Sequence, residues 1–444
     1  MVKNIQKSKI FSKRELFNLI WPLLVEQLLT VLVGMVDVLM VAVIGEAAVS
    51  GVSLVDAVNN LVIQVLFALT AGGTVVCAQY IGADDQRKAG KTTAQLLVMT
   101  LFLTICVMLF FLAGGNGLLR LLFGRVEPDV LKDAGIYLRI TALSFPFLAM
   151  YHTVASAFRA EGNTRIAMLF SLFMNGVNIA GNAVCIFGLK MGVEGVAIPT
   201  LLARISGAVG MLIMLEKGGS KARIQDMQEC RPNRMLMIRI LRIGVPNGVE
   251  SSVFQLGKLI LQSLVSTLGT ASIAGFAVAS NLVTYLYLPG NALGAATLTI
   301  AGQCYGAGER KQAKQYMKTL LSLNYILLAV ICTIMFVGKT QFISAYHLTG
   351  EAARLAEGLL VAHTIAMVIW PIGFLLPYYF RAIGKAAFTM IVALLTMWTC
   401  RIGLAYVFVK ILHMSVLGVW YAMFIDWFVR FVIYVVAFSH EGKD

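Results

Sequence analysis

The chain has 444 residues, of which 59% are hydrophobic and 13% are charged, and it carries a net charge of +14. A water-soluble domain has about a quarter charged residues, so this composition excludes a soluble globular protein. The apolar residues form continuous runs of about 18 residues or more, the length that an α-helix needs to cross a bilayer. Backbone polar groups in lipid need partners within their own segment, so these runs predict an all-α polytopic membrane protein.

Twelve predicted transmembrane helices follow in chain order, six on each side of a basic linker. This order predicts an N-lobe of helices 1–6 (residues 1–215), a cytoplasmic linker (216–242) and a C-lobe of helices 7–12 (243–444). Because six is even, both halves enter the membrane in the same orientation. We therefore expect two six-helix lobes related by pseudo-two-fold symmetry along the membrane normal, with a cleft between them. The spans are placed at residues 16–44, 52–80, 93–114, 134–158, 166–188, 194–215, 243–268, 272–305, 315–337, 355–380, 387–410 and 415–438.

A repeated motif supports this division. The segment QYIGADD at residues 79–85 returns as QCYGAGE at residues 303–309, and FRAEG at residues 158–162 returns as FRAIG at residues 380–384. Other residues repeat at a similar offset, among them Glu26 with Glu250. The chain is therefore a duplication of a unit of about 220 residues, a common construction among transporters.

The basic residues are distributed asymmetrically between the two sides of the predicted membrane. With a cytoplasmic N-terminus, the even-numbered loops and both tails hold about 24 Lys and Arg, and the opposite side holds about 7. This asymmetry predicts a multi-pass protein of the plasma membrane with both termini in the cytoplasm. We interpret the basic linker as an anchor on anionic lipid and not as a nucleic-acid site. No removable signal peptide is expected at the N-terminus.

Several short motifs resemble one transporter family. They are GMVD followed by IGEA (residues 34–37 and 44–47), AQYIGA (78–83), RAEGNT (159–164), GVEGVA (192–197) and GQCYGA (302–307). In this order and at this spacing they resemble the multidrug and toxic compound extrusion (MATE) family over about residues 15–438. The resemblance implies twelve helices in two bundles, and export driven by a Na⁺ or H⁺ gradient.

Ionisable residues within a membrane span cost about 2.5–3.5 kcal/mol to insert, so they are candidates for function. Asp37 lies deep in the first span, and the resemblance implies that it binds the coupling cation with Asn178, Asn182 and Thr200. The acidic branch of the family has a carboxylate where this chain has Asn182, which leaves Na⁺ and H⁺ both open. The alternative is that Asp37 and the asparagines only join helices by hydrogen bonds. Apart from Na⁺ at Asp37, no metal ion is expected.

A second group of residues is predicted to contact the substrate or assist coupling. Glu26 and Glu250 are repeat mates near helix starts, where a carboxylate is also stabilised by the helix dipole alone. Polar and aromatic residues of the spans complete the group, since aromatic surfaces suit apolar cations; they are Gln64, Tyr151, Gln255 and Tyr285.

The C-lobe has no second copy of Asp37, because Leu261 occupies the repeat position. It contains Lys258, Arg401, Asp426 and Arg430 instead. Asp426 and Arg430 are one helical turn apart and can pair. We interpret the four residues as a static charge network, in preference to a second ion site.

The leading hypothesis is a secondary active antiporter that exports amphipathic or cationic organic compounds, with Na⁺ or H⁺ as the coupling ion and no cofactor. The alternative is a lipid-linked oligosaccharide flippase of the same superfamily, which requires several arginines for diphosphate; Arg139 and Arg204 offer limited support. An enzyme is not expected, since no P-loop, HExxH motif or nucleophile–base pair occurs. The seven cysteines form no metal or disulfide pattern. We expect a monomer.

Overall fold

The computed structural model describes residues 9–124 and 127–441, and every regular element in those residues is helical. The tails whose cytoplasmic location was predicted lie partly outside the described residues, at 1–8 and 442–444. By its internal contacts the chain divides into two compact units. One unit is Phe11–Gly244, and the other begins at Val245 and also includes Ile10.

The first unit contains seven helices and the start of an eighth. Their bounds are α1 Lys13–Ala42, α2 Glu46–Gly82, α3 Gln86–Phe123, α4 Pro128–Leu143, α5 Phe145–Glu161, α6 Thr164–Ala183, α7 Glu194–Lys217 and α8 Arg234–Ser266. A π-helical turn, Val184–Gly188, extends α6. Helix α8 passes the boundary between the units at Gly244.

The second unit repeats this order. Its elements are α9 Thr270–Thr284, α10 Leu288–Gly306, α11 Arg310–Val337, α12 Lys339–Ser344, α13 Gly350–Ala366, α14 Trp370–Ala382, α15 Ala386–Thr396, α16 Leu404–Tyr406 and α17 Leu417–His440. A short 3₁₀ turn joins α9 to α10. Two π-helical turns, Met397–Gly403 and Val407–Ile411, extend the segment that begins with α15.

Nine helices of the described residues are long and apolar enough to cross a membrane, and two bent pairs raise the number to eleven. The remaining predicted span lies in α8, which is long enough but is interrupted by polar and charged residues, including Glu250, Gln255 and Lys258. The all-α prediction is confirmed. Helices α1, α3 and α8 begin before the predicted spans, because hydropathy detects only the apolar part of a helix and not its polar ends.

Two predicted spans are each a pair of helices that meet at an angle. Helices α4 and α5 are bent by 46° at Ser144, and α13 and α14 are bent by 57°. Each second helix carries proline in its first turn, Pro146 or Pro371. Proline lacks an amide hydrogen and fits the first turn of a helix, so it favours a new helix at these positions over a straight continuation.

The irregular backbone positions also follow the repeat. The π-helical turn at Val184–Gly188 has its counterpart at Val407–Ile411, 223 residues later. Lys190 and His413, separated by the same offset, both adopt positive φ, 52° and 51°. A non-glycine residue rarely adopts this conformation. Its recurrence at matched positions indicates that the two halves inherited one backbone design.

Candidate cation site and its surroundings

The four residues predicted to bind the coupling cation form one hydrogen-bonded chain in the first unit. Asn182 Nδ2 donates to Asp37 Oδ1 (3.2 Å) and to Asn178 Oδ1 (3.3 Å). Asn178 Nδ2 donates to Thr200 Oγ1 (2.9 Å), and Thr200 donates to the Val196 carbonyl (2.8 Å). Helices α1, α6 and α7 thus supply a carboxylate, two carboxamides and a hydroxyl to one cluster.

The packing of α6 against α7 explains how these side chains meet. Asn178 and Asn182 are one turn apart on α6, so they lie on one helix face. Between them Gly181 contacts Pro199, and a β-carbon at Gly181 would lie only 2.7 Å from the Pro199 Cβ. The missing side chain therefore allows α7 to approach closely enough for Thr200 to reach Asn178.

The cluster retains hydrogen-bonding capacity that the protein does not use. Asn182 is completely buried, and its Oδ1 atom has no hydrogen-bond partner among the described residues. Asp37 is only half-buried, and within the described chain no basic side chain forms an ion pair with it. A buried oxygen without a donor, beside an unpaired carboxylate, is an arrangement that suits a cation ligand.

Helix α2 brings a second carboxylate to this region, which sequence reasoning missed. Asp56 Oδ1 accepts hydrogen bonds from Asn59 Nδ2 (3.2 Å) and from the Tyr137 hydroxyl (3.4 Å) on α4. The Asp56 and Asp37 carboxylates are close enough for their charges to interact. The sequence does contain a signal for Asp56, because it is a further acidic residue within the predicted second span.

A close crossing of α2 and α4 positions Asp56 next to Tyr137. A β-carbon at Gly51 would lie 2.9 Å from the Ala134 amide nitrogen, so only glycine allows this approach. The repeat mate Gly275 is equally close to α13, with 2.9 Å to the Ala352 carbonyl oxygen. The crossing is therefore part of the duplicated design, whereas the acid at position 56 is not, because its repeat mate is Ser280.

Glu26 and Glu250 each form an ion pair with an arginine of the repeated FRA motif. Glu26 pairs with Arg159, which joins α1 to α5. Glu250 Oε1 lies 2.8 Å from Arg381 Nη2, which joins α8 to α14. The other oxygen of Glu250, Oε2, is buried without a hydrogen-bond partner among the described residues. Glu250 thus retains binding capacity even while it is paired.

The charged residues predicted for the C-lobe lie close together in the second unit. Asp426 accepts from Arg430 Nε at 2.8 Å and lies 3.1 Å from Arg401 Nε. Lys258 and Arg401 both lie over the Phe254 ring, each 5.0 Å from its centre. Asp426 is completely buried, and Leu261, at the repeat position of Asp37, is also buried.

The remaining substrate candidates occupy different environments. Tyr151 is buried and donates from its hydroxyl to the Ala167 carbonyl (3.3 Å). Gln64, Gln255 and Tyr285 are half-buried. Their exposure is compatible with ligand contact, whereas Tyr151 packs within the first unit.

Comparisons with known proteins identify the family. A family model described as MatE matches residues 22–184 and 246–407. The chain is 26% identical over 432 residues to a protein of Bacillus subtilis named uncharacterized transporter YisQ, covering 94% of this chain and 92% of that protein. It is also 26% identical to the probable multidrug resistance protein NorM of Thermotoga maritima, over 97% of this chain and 93% of that one.

Solved structures share the fold. One, described as the outward-facing conformation of a multidrug resistance MATE family transporter, has a TM-score of 0.90 and 21% identity, with 97% of each chain covered. Another, a MOP superfamily transporter of Pyrococcus furiosus described as having a binding pocket of reverse polarity, has a TM-score of 0.88 at 21% identity. The family match covers both halves of the duplication, and the fold class predicted from the sequence is confirmed. The chain belongs to the MATE family of multi-pass membrane transporters, whose members are not enzymes.

Proposed function

We propose that this transporter is a secondary antiporter that exports amphipathic, often cationic organic compounds in exchange for Na⁺ or H⁺. The observation that carries the proposal is the Asp37 cluster. Among the described residues, its carboxylate has no basic partner and lies beside a buried Asn182 oxygen that accepts no hydrogen bond. A cation or proton at Asp37 would neutralise a charge that is expensive within the membrane. Its binding is then a means of shifting the balance between two conformations, because a ligand stabilises the state that binds it better.

The names of relatives agree with an organic substrate. NorM of Thermotoga maritima is called a probable multidrug resistance protein, and MepA of Staphylococcus saprophyticus, 22% identical over 400 residues, is called a multidrug export protein. Glu250 is our candidate for contact with a cationic substrate, since its Oε2 atom is buried and has no hydrogen-bond partner in the part of the chain that the structure describes. No observation specifically favours the flippase alternative, and in the first unit Arg159 is paired with Glu26 and Arg204 donates to Ser144.

We further propose that the transporter lies in the plasma membrane with both termini in the cytoplasm and acts as a monomer without a cofactor. The excess of Lys and Arg in the linker and the even-numbered loops supports this orientation. Linker residues such as Arg234 and Arg242 surround a basic surface groove suited to anionic lipid headgroups.

The decisive experiment measures the efflux of a fluorescent organic cation from cells. A second measurement follows uptake of the same cation into everted vesicles, with a Na⁺ gradient and a proton gradient imposed in separate runs. We expect Asp37→Asn to abolish coupled transport without loss of folded protein, because it removes the charge that binds the cation. Glu250→Gln should weaken transport of the cation more than Glu26→Gln. The exposed carboxylate Glu46 provides a matched control, and Glu46→Gln should transport normally. Unchanged transport by Asp37→Asn would remove Asp37 from the mechanism.

A further inference from the structure

Asp56 and Asn59 occupy one face of α2, three residues apart and next to the Asp37 cluster. Asn59 is 4% exposed, and its Nδ2 atom donates to Asp56 Oδ1. Its Oδ1 atom has no hydrogen-bond partner within residues 9–124 and 127–441. Asn59 therefore repeats the arrangement of Asn182, whose amide nitrogen donates to Asp37 while its buried oxygen has no partner among the same described residues.

Two carboxylates in one membrane region repel each other, and a cation near both offsets the energy of this repulsion. Asp37 and Asp56 interact electrostatically. Each has one neighbouring carboxamide whose nitrogen donates to the carboxylate. The oxygen of each carboxamide is buried and has no hydrogen-bond partner among the described residues. Two carboxylates and two unpartnered neutral oxygens constitute the hard oxygen ligands that a small cation requires.

The charge count of the site gives an independent reason. Asp37 is the only acid of the predicted four-residue set, which also contains Asn178, Asn182 and Thr200. Asp56 adds a second negative charge from a different helix. The second unit contains neither acid, because the repeat positions of Asp37, Asp56 and Asn59 are Leu261, Ser280 and Val283.

We propose that Asp56 and Asn59 complete the Asp37 site as a two-carboxylate site for Na⁺, in which the Oδ1 atoms of Asn59 and Asn182 are neutral ligands. This inference rests on the proposed antiport function and specifies its ion and an additional binding residue. Tyr137 is a positioning residue, since its hydroxyl donates to Asp56 and fixes the carboxylate from α4.

The main competing explanation is that Asp56 serves only as a counter-charge for Arg204. The two charges interact, but the Arg204 Nη1 atom donates to Ser144 Oγ at 2.6 Å. The described residues contain no ion pair between Asp56 and Arg204. If Asp56 were only a counter-charge, removing both Asp56 and Arg204 charges would restore the wild-type response to Na⁺. The double variant therefore distinguishes a counter-charge from a Na⁺ ligand.

The test measures Na⁺ binding by the full-length purified protein, independently of transport. Thermal unfolding is followed at fixed pH across a NaCl series, with potassium chloride maintaining the ionic strength, because a ligand that binds the folded state raises the Tm. The variants are Asp37→Asn, Asp56→Asn, Asn59→Ala and the double variant Asp56→Asn/Arg204→Gln. Glu46→Gln, the same change of charge on an exposed residue of α2, is the control.

We expect wild type and Glu46→Gln to be stabilised by Na⁺ and Asp37→Asn to lose the response. Asp56→Asn and Asn59→Ala should need about tenfold more Na⁺, or higher, for equal stabilisation, the effect of losing an interaction of about 1.4 kcal/mol. Asn59→Ala retains every charge, so it tests the site even if Asp56→Asn does not fold.

Three results would overturn the inference. The first is that Asp56→Asn and Asn59→Ala respond to Na⁺ like wild type while Asp37→Asn loses the response. This result would leave the proposed antiport function intact. The second is a wild-type response in the double variant, which identifies Asp56 as a counter-charge. The third is no Na⁺ response in wild type; proton-driven transport that depends on Asp37 would still support antiport in that case. Loss of transport dependence on Asp37 contradicts the proposed function itself.

Discussion

At the scale of residues, the clearest result is that a repeated glutamate meets a repeated arginine in each unit. The pairs are Glu26 with Arg159 and Glu250 with Arg381. The offsets between the two glutamates and between the two arginines differ by only two residues. Each pair has one buried partner, Glu26 or Arg381, and joins helices distant in sequence. Loss of the other partner therefore leaves a buried charge uncompensated, which is strongly unfavourable. The Glu–Arg pair is therefore a structural element common to both units, while the Asp37 cluster is specific to one.

The pair between Glu26 and Arg159 predicts a stability effect. Arg159→Met leaves the Glu26 carboxylate buried without its cation, which should cost about 3–5 kcal/mol of unfolding free energy. Thermal unfolding in detergent should show a lower Tm, and the double variant Glu26→Gln/Arg159→Met should recover most of it. Arg165, which donates to Asn18 at an exposed position, is the control, and Arg165→Met should change the Tm little. A double variant no more stable than Arg159→Met would contradict this account.

Residue-level prediction from the sequence depends on motifs. The family pattern groups Asp37, Asn178, Asn182 and Thr200, and the structure joins them by hydrogen bonds, while their cation-binding role stays a prediction. No motif includes Asp56, and its partner Tyr137 lies 81 positions away on another helix. A single sequence gives the depth of an acid in a span but not the neighbour that it meets. Hydrogen bonding between helices depends on crossings such as the one at Gly51.

At the scale of elements, two side chains, Gln95 and Glu161, hold the linker after α7 against the helices of the first unit. Gln95 Nε2 donates to the carbonyl oxygens of Glu229 (2.7 Å) and Arg231 (2.8 Å), and Gln95 Oε1 accepts from the Asn233 amide (2.7 Å). Glu161 accepts from the Ala222 amide (2.9 Å) near the start of the linker. The sequence predicts a basic surface segment here. The path of its backbone, however, depends on hydrogen bonds to the side chains of Gln95 and Glu161.

Removal of the Gln95 side chain should loosen this segment. In Gln95→Ala the three backbone groups lose their partner, so we expect faster amide hydrogen exchange and easier proteolysis over residues 226–233. Gln64→Ala, a change of the same type in α2, is the control and should leave the linker protected. Equal exchange rates in Gln95→Ala and wild type would show that the other contacts hold the segment without Gln95.

At the scale of the whole molecule, the duplication preserves backbone irregularities more faithfully than side-chain chemistry. The bent helix pairs, the π-helical turns and the positive φ values recur in both units. The ionisable residues diverge, since Asp37 corresponds to Leu261 and Asn178 corresponds to Arg401. Backbone geometry determines how helices pack, so it is retained in both halves. The proposed cation site is present in only one of the two halves, so the sequence repeat predicts the fold better than the function of each half.

The proposed orientation has a direct test in the first unit. Lys190 and Lys221 are both exposed and are separated by one apolar helix, α7, so they are expected on opposite faces of the membrane. The distribution of basic residues predicts Lys221 inside and Lys190 outside. In a chain whose seven cysteines are replaced, a membrane-impermeant maleimide should label Lys190→Cys on intact cells and Lys221→Cys only after permeabilisation. The reverse pattern would invert the orientation and place the linker outside, where anionic cytoplasmic lipid no longer explains its arginines. Labelling of both positions on intact cells would mean that α7 does not cross the bilayer.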